Sequence, residues 1–489
     1  MTVPDIEHGA DTVRFRGGWG MAFVPLAVFV VTCVIFFGVF QTFDSYTLVA
    51  FAFVGLLFGG VLAKNYEAYW KAVFSGIGSP TAATIVAILF VVGMYSQLIK
   101  VTGLSEGIAW LASVLHVGTE WYVLFVFLAT CMISLSTGSS IGAMITAFPV
   151  FYAAGLPLGV SAVVMGGAII SGALFGDNLA PTSDTTIISA AAQRFRSKPG
   201  YADIGGVVSS RARYALVTAG ISAVVYTVLG FATSSGSSAT VVGDPAGLWM
   251  LVPVVGMLVI AIVTRNIFAA VTVGLVLGTV VALVTGLLPA SGIAGVQEGA
   301  AAGFLIEGAG SMASTVVLAL SVFGIMGVLT GSGVLERLTG ALVRSRWART
   351  PRGAEAVIGA STAVLTVAFG GVNGAAMMTL GPVVDEVGSR VGLHPYRRSN
   401  IMDCFAMGTP SVVPFISAFL FIAAGLTMGF DVPPLTPVEL ASAAVYPMVL
   451  TVVMIVAVAT GWGRRFEAPD GQPVAARPVG EPVAVPAGV

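Results

Sequence analysis

The amino-acid sequence predicts an all-α integral membrane protein of about 12 to 14 membrane segments, and three observations predict it. The 489 residues are 57% apolar and only 9% charged, whereas a water-exposed domain carries roughly a quarter charged residues. Apolar runs of about 17 to 23 residues, the length a bilayer requires, recur along the chain. No strand alternation accompanies them, which excludes a β-barrel and leaves helices as the spanning elements that satisfy their own backbone. Nucleic-acid binding and soluble enzymology lose their footing at a net charge of -1. Cys33, Cys131 and Cys404 lie far apart in apolar runs and suggest neither disulfides nor a structural metal. No cofactor is expected.

Each segment has its own justification. A polar stretch over residues 1–18 precedes the run Met21 to Phe40, too long for a cleaved signal and expected to be a retained first helix. Further spans are expected over Thr47 to Ala63, Pro80 to Val101, Tyr214 to Ala232, Leu248 to Val263, Ile267 to Leu288, Met312 to Leu329 and Leu440 to Thr460. Glycine-interrupted stretches from Glu120 to Gln193 and from Glu355 to Met428 cross less regularly. The Pro-, Ala- and Val-rich segment after Arg465 is expected to be disordered.

Lysine and arginine stay on the cytoplasmic side of short loops. If 120–156 and 355–388 each cross and return, the basic clusters at Arg14/Arg16, Lys64/Lys71, Arg194 to Arg213, Arg265, Arg337 to Arg352, Arg390 to Arg398 and Arg464 onward share one side. Only Lys100 does not, and it can snorkel to the other interface. Asp44, Glu106, Glu120, Asp244, Glu298, Glu307, Asp431 and Glu439 fall opposite, so both termini are expected in the cytoplasm, with the chain in the cell membrane.

A self-similarity appears at an offset of about 232 residues. Gly76 to Glu106 resembles Gly308 to Glu336, Ile141 to Val150 resembles Asn373 to Val383, and Phe175 to Pro181 aligns with Met407 to Pro414. The basic residues precede the first copy and follow the second, so the copies should cross in opposite senses, as two inverted-topology repeats with discontinuous helices. The expected organisation is a tail over 1–18, two helices over 19–72, a first repeat over 73–233, linking helices over 234–304, a second repeat over 305–462 and a tail over 463–489.

Three acidic residues find no place in tails, loops or helix ends: Asp177, Asp184 and Asp403. A charge at bilayer depth costs about 3 kcal/mol or more, so each is a candidate functional group. His8, His116 and His394 fall outside the core, which leaves any proton traffic to carboxylates. Residues 160–193 would make a straight helix of roughly 51 Å against a hydrocarbon core of roughly 30 Å. A break is therefore expected at Gly176, Pro181 and the cluster Thr182 to Thr186. Carboxylates, the Asn178 amide oxygen and the hydroxyls of Ser183, Thr185 and Thr186 are hard ligands suited to sodium. Asp184 could instead cap a helix, and Asp403 could pair with Arg397 or Arg398 at the interface. Ser139, Ser140 and Asn373 sit at two further glycine-rich discontinuities, and Thr409 and Pro414 at the counterpart of the Asp177 break; for the single hydroxyls, small-residue helix packing competes with a role at the site.

At GALFGDNLAPTSDTT the chain resembles the NhaC family of sodium/proton antiporters, with Gly172, Ala173, Phe175, Gly176, Asp177, Pro181, Ser183, Asp184, Thr185 and Thr186 at matching positions. The likeness extends over 76–232 and returns around Asn400 to Pro414. Two departures stand out: Asn178 replaces the family's lysine, and Phe415 and Ile416 replace a tryptophan-asparagine pair, which bears on which ions are carried. The resemblance implies a secondary transporter, not an enzyme, exchanging cytoplasmic sodium for external protons. Its expected partners are the sodium ion, the proton and the lipid bilayer, with no nucleic acid and homodimerisation left open. No phosphate-binding loop is present, so an ion gradient would drive transport. The alternative is a proton- or sodium-coupled carrier of a small organic anion or amino acid; a channel or sensor fits the twin breaks less well.

Overall fold

A backbone in hydrocarbon must bond to itself, and the computed structural model answers with helices throughout. It is described over residues 12–36, 40, 45–115, 119–233, 244–264, 266–297, 299–343, 346–428, 430 and 432–478. Six helices among these residues are long and apolar enough to cross a bilayer: Pro80–Val101, Ala162–Ala191, Ile204–Thr233, Pro245–Thr264, Ile267–Val284 and Phe304–Gly331. A seventh forms if Pro437–Ala443 and Val445–Thr460, bent by 55°, count as one span. Four shorter apolar helices are Trp19–Cys33, Tyr46–Leu62, Tyr122–Thr137 and Ser140–Gly155. The chain is an all-α integral membrane protein, but the expected segments are not all straight rods, because breaks divide both glycine-rich stretches. Arg265, Asp44, Glu298, Asp431, His8 and His116 lie outside the described residues.

Burial sorts the helices. Ala162–Ala191 is 83% buried, while Ile204–Thr233 and Ile267–Val284 are each 28% buried and turn valines and leucines outward. The carboxylate-bearing segment thus sits at the centre, with the uniformly apolar helices around it. Helix Ile204–Thr233 begins ten residues earlier than the span expected from Tyr214 and so takes Arg211 into the bundle.

The order of elements recurs at the spacing seen in the sequence. Helices Pro80–Val101, Leu104–Leu115, Tyr122–Thr137, Ser140–Ala147, Ala162–Leu179 and Asp184–Ala191 are followed by Ala313–Gly331, Val334–Val343, Pro351–Ala368, Asn373–Arg390, Pro395–Ala406 and Ala418–Leu426. The two series of helices touch closely. A Cβ on Gly76 would stand 2.1 Å from the Phe323 carbonyl oxygen, and one on Gly93 would stand 2.3 Å from that of Gly308. Gly76 and Gly308 align in the sequence self-similarity, and each meets backbone of the other series closely.

Two expectations about the arginine-rich end change. The tail after Arg465 is ordered as far as residue 478: Phe466–Glu467 pairs antiparallel with Pro473–Val474. Composition alone suggested disorder, but the Glu467 carboxylate accepts hydrogen bonds from the Arg196 and Ser197 amides, both at 2.7 Å, and from the Ser197 hydroxyl at 2.6 Å. His394 is buried beneath this hairpin, where its Nδ1 accepts from the Tyr396 amide at 3.2 Å and caps helix Pro395–Ala406.

Candidate functional site

A helix that stops inside a bundle strands its last carbonyls and the next helix's first amides. Between Leu179 and Asp184 the chain leaves the helix: Ala180 and Ser183 are extended, and Pro181 has no N–H to offer. Asp177 occupies the last turn before this break and is 3% exposed. Its Oδ1 accepts from the Ser183 hydroxyl at 2.5 Å, and Ser183 Oγ lies 2.8 Å from Thr185 Oγ1. Ser140, at the start of helix Ser140–Ala147, is also within side-chain hydrogen-bonding reach of Asp177. Gly138 makes this approach feasible, with φ at +68° and a place for Cβ only 2.6 Å from Thr182 Oγ1.

Asp184 starts the second half-helix and is exposed, so it opens the break to its surroundings while Asp177 stays sealed. It is not the cap residue, since Ser183 holds that position; its Oδ1 accepts from the Thr185 amide at 2.8 Å. Asp184 Oδ2 lies 3.5 Å from where a Cβ on Gly374 would stand, so the first turn of Asn373–Arg390 faces it.

A second cluster adjoins the first. Asp403, fully buried, stands 2.8 Å from Nη1 of the equally buried Arg211. The expected pairing with Arg397 or Arg398 is not found: Arg397 pairs with Glu355 at 2.8 Å and Arg398 with Asp385 at 3.3 Å. Asn178 donates to Asp403 Oδ1 at 2.8 Å and accepts from the Tyr446 hydroxyl at 3.1 Å. Arg211 Nη1 also donates to the Asn178 carbonyl at 2.8 Å and to Thr186 Oγ1 at 2.9 Å, so one guanidinium serves a stranded carbonyl and both sides of the break. Ser189 Oγ lies 3.3 Å from Asp403, and Arg211 Nε donates to Asn400 Oδ1 at 3.1 Å.

The structure thus brings Asp177, Ser183, Thr185 and Ser140 together, and joins Asn178, Thr186 and Asp403 through Arg211. The other candidates shape breaks without reaching the carboxylates. Ser139 caps the Gly142 amide at 3.1 Å, and the Thr409 amide donates to Thr451 at 2.7 Å. The Asn373 amide nitrogen, in the orientation its neighbours require, lies 2.9 Å from the Gly371 carbonyl and 3.1 Å from that of Ala406. Pro414 precedes Phe415, the one non-glycine residue with positive φ among those described, at 68°. Sequence reasoning missed Arg211, Ser189, Asn400 and Tyr446. For Arg211 a signal existed: Arg211, Tyr214, Thr218, Ser222 and Tyr226 form a buried polar stripe at helical spacing.

Known proteins bear on this arrangement. The chain is 27% identical over 241 residues to a malate-2H(+)/Na(+)-lactate antiporter of Bacillus subtilis, a match covering 46% of this chain and 48% of that one. It is 41% identical over 71 residues to an uncharacterized Na(+)/H(+) antiporter of Haemophilus influenzae and 34% over 70 residues to the Na(+)/H(+) antiporter NhaC of Alkalihalophilus pseudofirmus, each match covering 14% of this chain and 15% of the relative. The matched stretch spans about half the length of the first relative and far less of the other two. Among solved structures, the YdaH transporter of Alcanivorax borkumensis aligns over 90% of this chain and 99% of its own at 13% identity, with a TM-score of 0.34. The model of the Na+/H+ antiporter family matches residues 16–231, the stretch that holds Asp177, Asp184 and Arg211, so that stretch of this multi-pass membrane chain is similar to Na+/H+ antiporters.

Proposed function

We propose that the chain is a secondary active transporter that exchanges cytoplasmic sodium for external protons at Asp177, in a cell membrane with both termini in the cytoplasm. The observation that carries this reading is a buried carboxylate at a helix break that accepts from the Ser183 hydroxyl, itself 2.8 Å from the Thr185 hydroxyl, beside the exposed Asp184. A carboxylate can hold a proton, and its oxygens with neighbouring hydroxyls suit sodium. One site that holds either ion but not both couples their fluxes. Asp403 completes the site from the second repeat by positioning: its charge is matched by Arg211, and it holds Asn178 beside Asp177. The recurring element order and the reciprocal glycine contacts support two repeats, which the lysine and arginine distribution makes inverted.

The test uses inside-out vesicles with an acidic lumen and a pH-sensitive dye. Sodium should release protons, and Asp177→Asn should abolish that release at normal expression; normal exchange by the variant would sink the assignment.

A second reading has its own observation. Arg211 is a buried cation beside the break, and a guanidinium is suited to a carboxylate. A small organic anion would compete with Asp403 for it, in line with the malate and lactate named for the Bacillus relative. Proton movement on adding such acids, and none on adding sodium alone, would give the function to this reading.

A further inference from the structure

Away from the ion site, at the arginine-rich end, a cavity of about 450 Å³ opens between the start of helix Pro351–Ala368 and the end of helix Val445–Thr460. Its lining includes Thr350, Arg352, Thr460, Arg464, Arg465 and Phe466, and no acidic side chain. Glu355 lies behind Arg464 and holds it at 2.6 Å, which leaves the guanidinium fixed and its buried Nε without a partner. Among the described residues Arg352 and Arg465 have no acidic partner. Three arginines lining one open cavity suit a phosphate group.

The surroundings show from where such a group would come. Val452, Ile455 and Val456, exposed by 60%, 54% and 49%, form with exposed Ala459 a stripe at i, i+3, i+4, i+7 spacing along helix Val445–Thr460. The stripe runs directly to Thr460 at the cavity mouth. Trp462 and Trp347, 39% and 67% exposed, lie within four residues of the two helix ends, and such aromatic side chains favour the level of lipid headgroups.

We propose that this cavity binds the phosphate of an anionic phospholipid, whose acyl chains lie along the Val452–Ala459 stripe. A phosphate ion would need the arginines but not the stripe, and a zwitterionic lipid carries a cation that three arginines repel. The cavity lies apart from the ion site, and Glu355, which holds Arg464, also binds Arg397 on the helix that carries Asp403.

The full chain in detergent would be titrated with dioleoylphosphatidylglycerol, dioleoylphosphatidylcholine or inorganic phosphate while its apparent melting temperature is followed. Only phosphatidylglycerol should raise it saturably, and each of Arg352→Gln and Arg465→Gln should weaken the apparent affinity on the order of fivefold. Both side chains lie at the surface or partly so, and Arg352→Lys serves as a folded control that retains most of the response. An equal response to phosphatidylcholine, or an unchanged response in the double variant Arg352→Gln/Arg465→Gln, would overturn the site. A response to inorganic phosphate matching that to phosphatidylglycerol would overturn the lipid assignment.

Discussion

Arg211 shows how a single side chain escapes a reading by charge. Counting lysines and arginines places it with its neighbours Arg194 to Arg213 outside the membrane, because counting does not ask which way a side chain points. The stripe of Tyr214, Thr218, Ser222 and Tyr226 below it points inward and takes Arg211 along. Asp177 stood out for the opposite reason: under the expected topology no tail, loop or helix end held it, which made it a candidate. Removing Arg211 leaves Asp403 buried without a counter-charge. Arg211→Ala should therefore lose about 3 to 5 kcal/mol of stability, while the double change Arg211→Met/Asp403→Leu should recover most of it, as thermal unfolding in detergent would read. His394 gives a pH dependence of known sign. Burial pushes its imidazole down to about 4 from 6.5. Between these values the unfolded chain binds a proton that the folded one refuses, so stability is complete above 6.5 and falls as pH drops toward 4. Protonation also blocks the Nδ1 acceptor that caps the helix. His394→Gln should flatten that fall, worth roughly 3 kcal/mol at its acid end, in melting temperatures taken from pH 7 to 4.5.

At the level of elements, the breaks matter more than the helices, and each is supported by side chains from elsewhere in the chain. The break after Leu179 has its Asn178 carbonyl bound by Arg211. The bend at Ala444, which sequence showed only as one apolar span, has its Ala443 carbonyl and Val445 amide both satisfied by the Tyr226 hydroxyl, at 2.8 and 3.1 Å. Breaks carrying Pro181 and Gly138 announced themselves through residues that cannot continue a helix; the Ala444 bend had such a signal in Pro447, whose missing N–H frees the Ala443 carbonyl, but it lies inside one apolar run. Close packing then fixes the angles. A Cβ on Gly176 would stand 2.4 Å from the Leu135 amide nitrogen and 2.6 Å from the Ser134 carbonyl carbon, backbone atoms that cannot step aside. Gly176→Ala should force the Asp177 helix away from Tyr122–Thr137, cost about 1 to 3 kcal/mol and abolish exchange. Gly220, with nothing within 4 Å of its Cβ position, is the control: Gly220→Ala should exchange normally and melt no lower. Equal behaviour of the two variants in melting and dye assays would refute this account of the break.

For the molecule as a whole, the charge distribution along the chain predicts how it sits in the membrane. The apolar core and the recurring order of helices were readable because both are periodic in sequence, whereas the tail is held by contacts that no periodicity encodes: the Glu467 carboxylate to the Arg196 and Ser197 amides, and backbone bonds from the His394 amide to the Arg465 carbonyl and from the Glu467 amide to the Gly392 carbonyl. The same arginine-rich end gathers Glu355 with Arg397 and Arg464, and Asp385 with Arg196 and Arg398. Such a surplus of arginine is retained on the cytoplasmic side during insertion. Gln297 and Arg349 test this directly, because both are exposed and the 28-residue apolar helix Phe304–Gly331 lies between them. The native thiols Cys33, Cys131 and Cys404 are all buried, so a single introduced cysteine reports without interference. In intact cells a membrane-impermeant maleimide should label Gln297→Cys at once and Arg349→Cys only after the membrane is opened. The reverse pattern would invert the orientation and, with it, the direction of sodium movement; labelling of both in intact cells would mean that Phe304–Gly331 does not cross, and the paired crossings of the two repeats would fall with it.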